Sequence, residues 1–394
     1  MDRAYVLTLN AGSSSVKFAL FAATAGWPSR VAAGQIEGLG ATPTFHVQID
    51  GAEEEALPLA ATDHEAATHA ILEWVETRFP YIALGAIGHR VVHGGLAHSA
   101  PALLDDACLR DLWTLAPLAP LHQPHNLKAV TAARAAFPHV PQVACFDTAF
   151  HRGHAFVHEA YALPRAYYAR GVRRFGFHGL SYEYISRRMR EMEPTLACGR
   201  MIVAHLGGGD SLCAMKDGRS IASTMGFSAL DGLPMGTRSG ALDPGVLLYL
   251  LQHDQMSVDD LSHLLYEESG LKGLSGLSQD MRALEASTDP AAAEAIAYFV
   301  TRIRMEIGAL ACVLNGVDAL VFTGGVGEHS ARVRGEALKN MGWLGVALDA
   351  AANAENRTLI SSADSAVKVF ALPTNEEAMI AEHTINVADL ARSA

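Results

Sequence analysis

Two similar segments, about half a chain apart, constrain the fold of this sequence more than any other feature. Residues 6–17 read V-L-T-L-N-A-G-S-S-S-V-K, and residues 203–213 read V-A-H-L-G-G-G-D-S-L-C. In each segment a short apolar run, typical of a buried strand, is followed by a Gly/Ser-rich turn and a second strand. We interpret the pair as a remnant of duplication, with one β-hairpin opening each of two α/β domains. The alternative is a chance likeness between two short glycine-rich hairpins.

Length, charge and cysteine usage restrict the class of protein. A chain of 394 residues is long enough for two domains, each with its own core. The net charge of −12 disfavours nucleic acid as a partner. The five cysteines are odd in number and have no C-x-x-C spacing, which disfavours a disulfide framework or a zinc site. No apolar run reaches about eighteen residues and no basic leader precedes the first strand, so we expect a cytoplasmic protein without membrane association.

Apolar periodicity predicts the longest helix and the end of the chain. Residues 291–314 have apolar side chains at helical spacing, followed by Asn315-Gly316 as a stop signal. Thr374 and Glu377 fit a capping box for a terminal helix. No linker or low-complexity segment marks a domain boundary, which we place near residue 150.

A glycine run and one arginine indicate an anion-binding loop. Gly207 to Gly209 follow the apolar run 201–206, and glycine lets backbone N–H groups approach an anion because it has no Cβ. Arg238 lies in G-T-R-S-G, a segment too rich in glycine for a helix or strand interior. A backbone cradle with one arginine suits a phosphate, although ordinary turns have the same composition.

Two charged side chains lie in or directly after predicted strands. Asp147 follows the strand predicted at 140–146, at the edge where open α/β sheets bind ligands. It is a candidate for a part in phosphoryl transfer or, alternatively, for capping a helix. Arg90 lies in the strand predicted at 83–92 and needs an anionic partner to offset its desolvation. That partner is either a substrate or an internal carboxylate.

The remaining signals are weaker when each is taken alone. None of the 18 histidines has the H-E-x-x-H spacing of a metal helix, and His178, in F-G-F-H-G, is the best candidate to contact a transferring group. Lys17 follows the first turn and can reach phosphate, although the Walker pattern G-x-x-x-x-G-K-[ST] is missing. G-G-V-G-E-H is only loosely similar to a nucleotide loop. The absence of G-x-S-x-G disfavours a serine hydrolase.

Taken as an ordered set, the motifs resemble the acetate kinase family. They are L-N-A-G-S-S-S-V-K, G-H-R-V-V-H-G-G, F-D-T-A-F-H, F-G-F-H-G-L-S-Y, M-G-T-R-S-G, F-T-G-G-V-G-E and P-T-N-E-E. The resemblance spans almost the whole chain and implies a duplicated actin-like, ribonuclease H-like α/β fold whose two domains flank a cleft. It implies an N-terminal domain at residues 1–150, joined by the C-terminal helix near 380–394, and a nucleotide-binding domain at residues 151–379. It also implies a homodimer.

The same resemblance implies catalytic roles for four residues. Asp147 is expected to be the essential catalytic acid, and His178 to stabilise the transition state. Arg90 and Arg238 are expected to hold the carboxylate and the transferring phosphoryl group.

Three further groups of contacts follow from the resemblance. Mg²⁺, or Mn²⁺, is expected at Asn10 and Glu376. The co-substrate ATP or ADP is expected against Lys17, His205, Leu206, Gly207, Gly208, Gly209, Asp280, Met281, Arg282, Gly325, Val326, Gly327, Glu328 and His329. The substrate methyl group is expected in a pocket lined by Val92, Leu121 and Phe177, with Arg90 beside it.

Three positions depart from the pattern of the family. Gly208 stands where asparagine is usual in H-L-G-N-G, and His329 replaces the asparagine of G-x-G-E-N. Ala229 stands where many members have a proline near the methyl pocket. These departures bear on nucleotide affinity and substrate size, and they leave the type of reaction unchanged.

The expected reaction is direct in-line transfer of the ATP γ-phosphate to acetate, giving acetyl phosphate and ADP reversibly. Because acceptor and donor are both anionic, two arginines and Mg²⁺ would serve mainly to offset their repulsion. The alternatives are a propionate or butyrate kinase of the same family and, from another class, an actin-like ATPase or binding module. The hypothesis fails if Arg90 and Arg238 lie far apart, or if internal acidic side chains occupy both.

Overall fold

The computed structural model describes residues 4–12, 15–24, 26–59 and 63–390. Residues 13 and 14 of the first Gly/Ser turn lie outside these ranges, as do residues 391–394 of the expected C-terminal helix. The chain divides into two compact units: unit 1 runs to Arg152 and resumes at Asn375, and unit 2 is Gly153–Thr374. The sequence predicts this boundary near residue 150 and the return near residue 380.

The described part of unit 1 contains an eight-stranded sheet in the order β5-β4-β3-β2-β1-β6-β8-β7. Its strands are β1 (Tyr5–Ala11), β2 (Ser15–Ala22), β3 (Ser29–Glu37), β4 (Thr44–Ile49), β5 (Glu55–Leu57), β6 (Leu84–Val91), β7 (Ala102–Leu103) and β8 (Gln142–Phe146). Strands β1, β6 and β8 are mutually parallel, and the other pairings are antiparallel.

Helices cover both faces of this sheet. They are α1 (His64–Arg78), α2 (Asp106–Thr114), α3 (Gln123–Ala136) and the C-terminal helix α16 (Glu376–Val387). Helices α4 to α15 belong to unit 2 and are given below. Ile87 of β6 joins the core beneath α1 and α3. Its neighbour Gly88 faces the opposite side, where a Cβ would collide with Thr384 and Ile380 of α16. Glycine at position 88 therefore lets the C-terminal helix lie directly on the sheet.

The described part of unit 2 contains a five-stranded sheet in the order β11-β10-β9-β12-β13. Its strands are β9 (Arg200–Leu206), β10 (Asp210–Lys216), β11 (Arg219–Ser223), β12 (Ala319–Thr323) and β13 (Lys368–Ala371). Its helices are α4 (Phe156–Glu159), α5 (Arg165–Ala169), α6 (Gly179–Met192), α7 (Pro194–Ala197), α8 (Pro244–Gln252), α9 (Val258–Glu267), α10 (Gly270–Ser275), α11 (Met281–Ala286), α12 (Pro290–Leu314), α13 (Gly324–His329), α14 (Ala331–Leu338) and α15 (Ala350–Ala354).

The two sheets share one topology. In unit 1, the antiparallel strands β3, β2 and β1 are followed by the parallel strands β6 and β8. In unit 2, β11, β10 and β9 are antiparallel, and β12 and β13 continue in parallel. Each of the two similar sequence segments forms the central hairpin of its sheet, as expected for a duplicated unit.

The long helix α12 lies where the sequence predicts it, although it begins one residue earlier, at Pro290. Asp289 accepts a hydrogen bond from the N–H of Ala291, and Pro290 occupies the first turn, where its missing N–H costs nothing. Asn315 ends the helix in the left-handed conformation. Its apolar face forms the centre of the unit 2 core.

Two local predictions were wrong. Asn375, not Thr374, caps α16, because its Oδ1 accepts from the N–H of Ala378 at 2.9 Å. The segment G-G-V-G-E-H is not a loop but forms the short helix α13. Among the described residues, no helix is long and apolar enough to cross a membrane.

Candidate functional site

The predicted site residues of unit 1 gather at one edge of its sheet. Asn10 lies near the end of β1, Arg90 near the end of β6, and Asp147 directly after β8. Because these three strands are parallel, their carboxyl ends meet at the same edge. The topology therefore brings together residues that are distant in sequence.

Arg90 and Asp147 form a bidentate ion pair. Arg90 Nε lies 3.0 Å from each Asp147 carboxylate oxygen, and Nη2 lies 2.6 Å from Oδ2. Arg90 Nη1 donates to Asn10 Oδ1 at 3.1 Å. The Arg90 side chain is 17% exposed and that of Asp147 only 1%. Of the two partners considered for Arg90, the structure has the internal carboxylate.

Acidic and basic groups surround this pair. Burial alone would lower the pKa of Arg90, but the charges of Asp147 and Glu376 outweigh it and raise the pKa. Burial raises the pKa of Glu376 to about 7; Asp147 adds to the rise, and Arg90 and Lys17 oppose it. Lys17 is the register partner of Asn10 across the first hairpin. The edge thus holds two carboxylates, and the charge of Asp147 disfavours the ionisation of Glu376.

Two buried amides of α3 support this edge, and the sequence pattern did not single them out. Asn126 accepts from the N–H of Val92 at 2.9 Å and donates to the carbonyl of Ala11 at 2.5 Å. Gln123 exchanges hydrogen bonds with the backbone of His93. Val92 itself is buried, whereas Leu121 is partly exposed. These contacts tie the last residue of β1 and the segment after β6 to one helix.

In unit 2, two glycine-containing segments lie side by side after the parallel strands β9 and β12. Gly324 has φ of +77°, and a Cβ there would lie 2.5 Å from the carbonyl oxygen of Leu206. A Cβ on Gly207 would lie 3.6 Å from the backbone nitrogen of Gly325. Only glycine combines this φ with so close an approach. The predicted nucleotide residues 205–209 and Gly325 are therefore neighbours.

Arg238 and His178 converge on Gly209. A Cβ on Gly209 would lie 2.9 Å from Arg238 Nη2 and 3.1 Å from His178 Nε2. Arg238 donates to the carbonyl of Ala229 at 2.9 Å and to that of Gly208 at 3.3 Å. The glycine run and the arginine that the sequence linked are thus in contact.

A hydrogen-bonded network orients two stacked histidines. The His178 and His205 rings stack with centroids 4.3 Å apart. His178 Nδ1 lies 2.8 Å from Ser211 Oγ, which lies 2.5 Å from the Tyr182 hydroxyl. His205 Nδ1 lies 2.8 Å from Ser181 Oγ. Burial raises the pKa of Tyr182 well above its usual value, so this phenol keeps its proton.

Sequence reasoning missed Ser181, Tyr182 and Ser211, although the first two are in the motif F-G-F-H-G-L-S-Y. It also missed Asp210, a buried carboxylate whose Oδ1 accepts from the N–H of Gly207 at 2.7 Å. Burial raises the pKa of Asp210 to about 7, against the opposing effects of the Gly207 hydrogen bond and the Arg238 charge.

The other predicted nucleotide residues have mixed surroundings. Asp280 caps α11 and pairs with Arg282, whose side chain is 89% exposed, and Met281 is buried. Glu328 accepts hydrogen bonds from the N–H groups of Gly324 and Thr374 at 3.0 and 3.2 Å. Its carboxylate therefore positions two backbone segments. The remaining members are the partly buried Val326, Gly327, the exposed His329 and, for the methyl pocket, the buried Phe177 of unit 2.

Known proteins resemble this chain along nearly its whole length. Residues 5–382 match the profile of the Acetokinase family. The acetate kinase of Methylocella silvestris is 54% identical, with 98% of each chain covered. The acetate kinase of Rhizobium meliloti is 49% identical, with 96% of this chain and 97% of that one covered.

Solved structures agree. The acetate kinase of Porphyromonas gingivalis superposes with a TM-score of 0.86 at 36% identity, covering 98% of this chain and 99% of that one. The propionate kinase of Francisella tularensis superposes with a TM-score of 0.91 at 34% identity, covering 98% and 100%. These matches confirm the duplicated actin-like α/β fold with two domains. The chain belongs to the acetokinase family.

Proposed function

We propose that this chain is an acetate kinase, which transfers the γ-phosphoryl group of ATP directly and in line to acetate, reversibly giving acetyl phosphate and ADP. Family membership over the full chain supports a kinase whose acceptor is a carboxylate. The single structural observation that carries the proposal is the convergence of Arg238 and His178 on Gly209. A cation and an imidazole beside a glycine run suit the charge that develops on a transferring phosphoryl group.

Unit 2 is proposed to bind the nucleotide. Gly207 to Gly209 and Gly325 offer backbone that a phosphate can approach closely. Arg238 is anchored by two carbonyl oxygens, neither of which cancels its positive charge. His178 is fixed through Ser211, so its Nε2 keeps a defined direction. Such prior orientation is what lowers the cost of reaching the transition state.

Unit 1 is proposed to bind the acceptor through Arg90. A guanidinium has five N–H groups. The contacts with Asp147 and Asn10 use three of them, on Nε, Nη1 and Nη2, and leave one on each terminal nitrogen for an acetate oxygen. Asp147 therefore orients Arg90, which makes it essential even where it does not itself exchange a proton.

Asn10 and Glu376 suit Mg²⁺, or Mn²⁺, by their chemistry. An amide oxygen and a carboxylate are hard oxygen donors. Burial raises the pKa of Glu376 to about 7, and the like charge of Asp147 adds to the rise, so a bound cation would stabilise the ionised form of this carboxylate. The described residues contain no cluster of three His, Cys, Asp or Glu side chains for a metal, so phosphate oxygens and water would complete the shell. A bound ion would neutralise charge on the phosphates.

The test of this function is acetate-dependent formation of an acyl phosphate. Purified protein is incubated with ATP and Mg²⁺, with and without acetate, and hydroxylamine traps any acetyl phosphate. Acetate-dependent hydroxamate with matching ADP release is the expected result. ATP hydrolysis that ignores acetate would instead favour the actin-like ATPase alternative.

Propionate is the second candidate acceptor, because the propionate kinase of F. tularensis has the same fold over the full chain. One methylene changes discrimination by about 1–3 kcal/mol. Propionate should therefore react, but with a lower kcat/KM than acetate. A preference for propionate or butyrate over acetate in the same assay would overturn the acetate assignment.

A homodimer and a cytoplasmic location complete the proposal. The nine-residue helix α8 has no buried residue, although its sequence is almost wholly apolar. Its Leu248 and Tyr249 are 54% and 53% exposed. Exposed apolar surface of this kind commonly marks a protein interface. This supports a homodimer in which a second copy of the chain packs against α8.

A further inference from the structure

Asp210 is a buried carboxylate at the base of the proposed phosphate loop. It is the first residue of β10, directly after the glycine run, and its side chain is 2% exposed. Its Oδ1 accepts from the N–H of Gly207 at 2.7 Å. One backbone donor of the loop is thus committed to an internal acceptor, which fixes the turn from Gly207 to Asp210.

The tip of the same loop is open. Gly208 is exposed, and apart from its two chain neighbours no described residue has an atom within 4 Å of the position that a Cβ there would take. Its carbonyl accepts from Arg238 Nη2 at 3.3 Å. An anion can therefore reach the tip of the loop and Arg238, while the Asp210 carboxylate lies at the base of the loop and accepts from the N–H of Gly207.

Charged and titratable groups face Asp210 from several elements. Arg238 approaches from the segment before α8, and its charge lowers the pKa of Asp210. Tyr182 of α6 is close enough for Asp210 to raise its pKa. His178, the residue before α6, and His205 of β9 line the same loop, and Glu328 of α13 accepts a hydrogen bond from the N–H of Gly324. Arg238 is the cation for which an ionised Asp210 and a bound phosphate would compete.

We propose that Asp210 is a positioning residue for the nucleotide phosphates: its carboxylate shapes the Gly207–Gly209 loop and, when ionised, weakens nucleotide binding by competing for Arg238. The inference rests on the proposed function, which puts the phosphates at this loop. A protonated Asp210 keeps an oxygen for the Gly207 N–H but adds no charge. Because burial raises the pKa of Asp210 to about 7, the switch between the two states falls near neutrality. Nucleotide affinity is therefore higher on the acid side.

The experiment compares ADP dissociation constants, measured by titration calorimetry with Mg²⁺, on either side of the Asp210 pKa of about 7. Asp210→Asn keeps an oxygen acceptor and removes the charge, whereas Asp210→Ala removes both. Asp217→Asn is the matched control, because Asp217 is exposed in the turn after the same strand. The ratio of the wild-type to the variant dissociation constant is taken at each pH. Protonation of ADP itself affects both constants equally, so it does not change this ratio.

The ratio of the wild-type constant to that of Asp210→Asn should rise roughly five- to tenfold from the acid to the alkaline side, a modest coupling between two sites. The ratio for Asp217→Asn should stay near one. Asp210→Ala should bind more weakly than Asp210→Asn at both pH values, because its loop has lost the acceptor for Gly207. A constant ratio for Asp210→Asn, or equal affinities of the Ala and Asn variants, would overturn the inference.

The acyl phosphate assay on the same wild-type preparation separates the two proposals. Acetate-dependent turnover with a constant Asp210→Asn ratio would remove the role of Asp210 alone. The expected ratio change without acetate-dependent turnover would remove the proposed function and leave Asp210 as a determinant of nucleotide binding.

Discussion

Arg90 donates hydrogen bonds to both carboxylate oxygens of Asp147, from a position 57 residues earlier in the chain. The sequence left two partners open for this strand-borne arginine, and the structure has the internal one. Arg238, by contrast, donates to the backbone carbonyls of Ala229 and Gly208. The two arginines therefore differ in role: one is part of a buried ion pair, and the other borders a glycine loop.

Breaking the Arg90–Asp147 pair should destabilise unit 1. Arg90→Met leaves the Asp147 carboxylate, which is 1% exposed, without its cation. An uncompensated buried charge typically costs about 3–5 kcal/mol. Urea unfolding should show a loss of free energy of unfolding in this range.

The double variant Arg90→Met/Asp147→Leu is the control for that experiment. It removes both charges, so it should recover most of the lost stability, while remaining inactive. Equal losses in the single and double variants would show that the two side chains are not energetically coupled.

Arg238→Lys should nearly abolish activity while the protein stays folded. Lysine keeps the charge but cannot contact the carbonyls of Ala229 and Gly208 with a planar fork. Loss of one such electrostatic partner typically lowers kcat by about 10²–10³. Steady-state kinetics would measure this, with Arg302→Lys on α12 as the control; near-wild-type turnover would contradict the role of Arg238.

Local sequence signals were enough to locate helices whose start and stop residues lie next to the apolar pattern. The apolar spacing of residues 291–314 and the Asn315-Gly316 stop located α12 to within one residue of its observed bounds, Pro290–Leu314. The terminal helix failed the same test, because Thr374 and Asn375 are adjacent candidates for a cap. Which of them adopts the cap geometry depends on how the chain enters the helix, and this is decided by tertiary structure.

The site was predictable only where its residues lie in recognisable motifs. Arg238 and His178 belong to such motifs. Ser211 and Asp210 contribute through contacts with His178 and Gly207, in which hydroxyl and carboxylate groups serve as local hydrogen-bond partners. The composition of a short polar segment does not predict which backbone N–H or imidazole ring its side chains will contact. The roles of Ser211 and Asp210 could therefore be recognised only in the structure.

Two glycines of the unit 2 loops should respond differently to substitution. Gly324→Ala forces a Cβ to within 2.5 Å of the Leu206 carbonyl at a φ of +77°. At Gly208, apart from its two chain neighbours, no described residue has an atom within 4 Å of the Cβ position. We expect Gly324→Ala to lower the free energy of unfolding by at least about 1–3 kcal/mol, and Gly208→Ala to be nearly neutral. Thermal and urea unfolding of both variants would test this, and equal stabilities would contradict it.

Stability should fall in mild acid because of a buried histidine. Burial lowers the pKa of His89 to about 4, against the hydrogen bond with Gln142, which raises it. An unfolded histidine binds its proton near its ordinary pKa of about 6.5, so the unfolded state gains protons first as the pH falls. The stabilising contribution is present above that value and is lost as the pH falls to about 4.

The pH dependence of urea unfolding would test the role of His89. The loss can reach about 3 kcal/mol for full burial. His89→Gln should reduce the slope between the two pKa values without removing it, because burial also lowers the pKa of His93 to about 4. His253→Gln, at a side chain that is 71% exposed, should leave the slope unchanged. A wild-type slope retained in His89→Gln would assign the acid sensitivity to other groups.

The exposed helix α8 should be covered by a second copy of the chain. Val246, Leu248 and Tyr249 are each more than two-fifths exposed on a helix with no buried residue. Apolar surface of this kind is stabilised when it leaves water, by about 25 cal/mol for each Å². Light scattering should therefore give the mass of a dimer for the wild type and of a monomer for Leu248→Glu. Asp254→Glu, just beyond the same helix, is the conservative control and should stay dimeric; a wild-type monomer would remove the homodimer from the proposal.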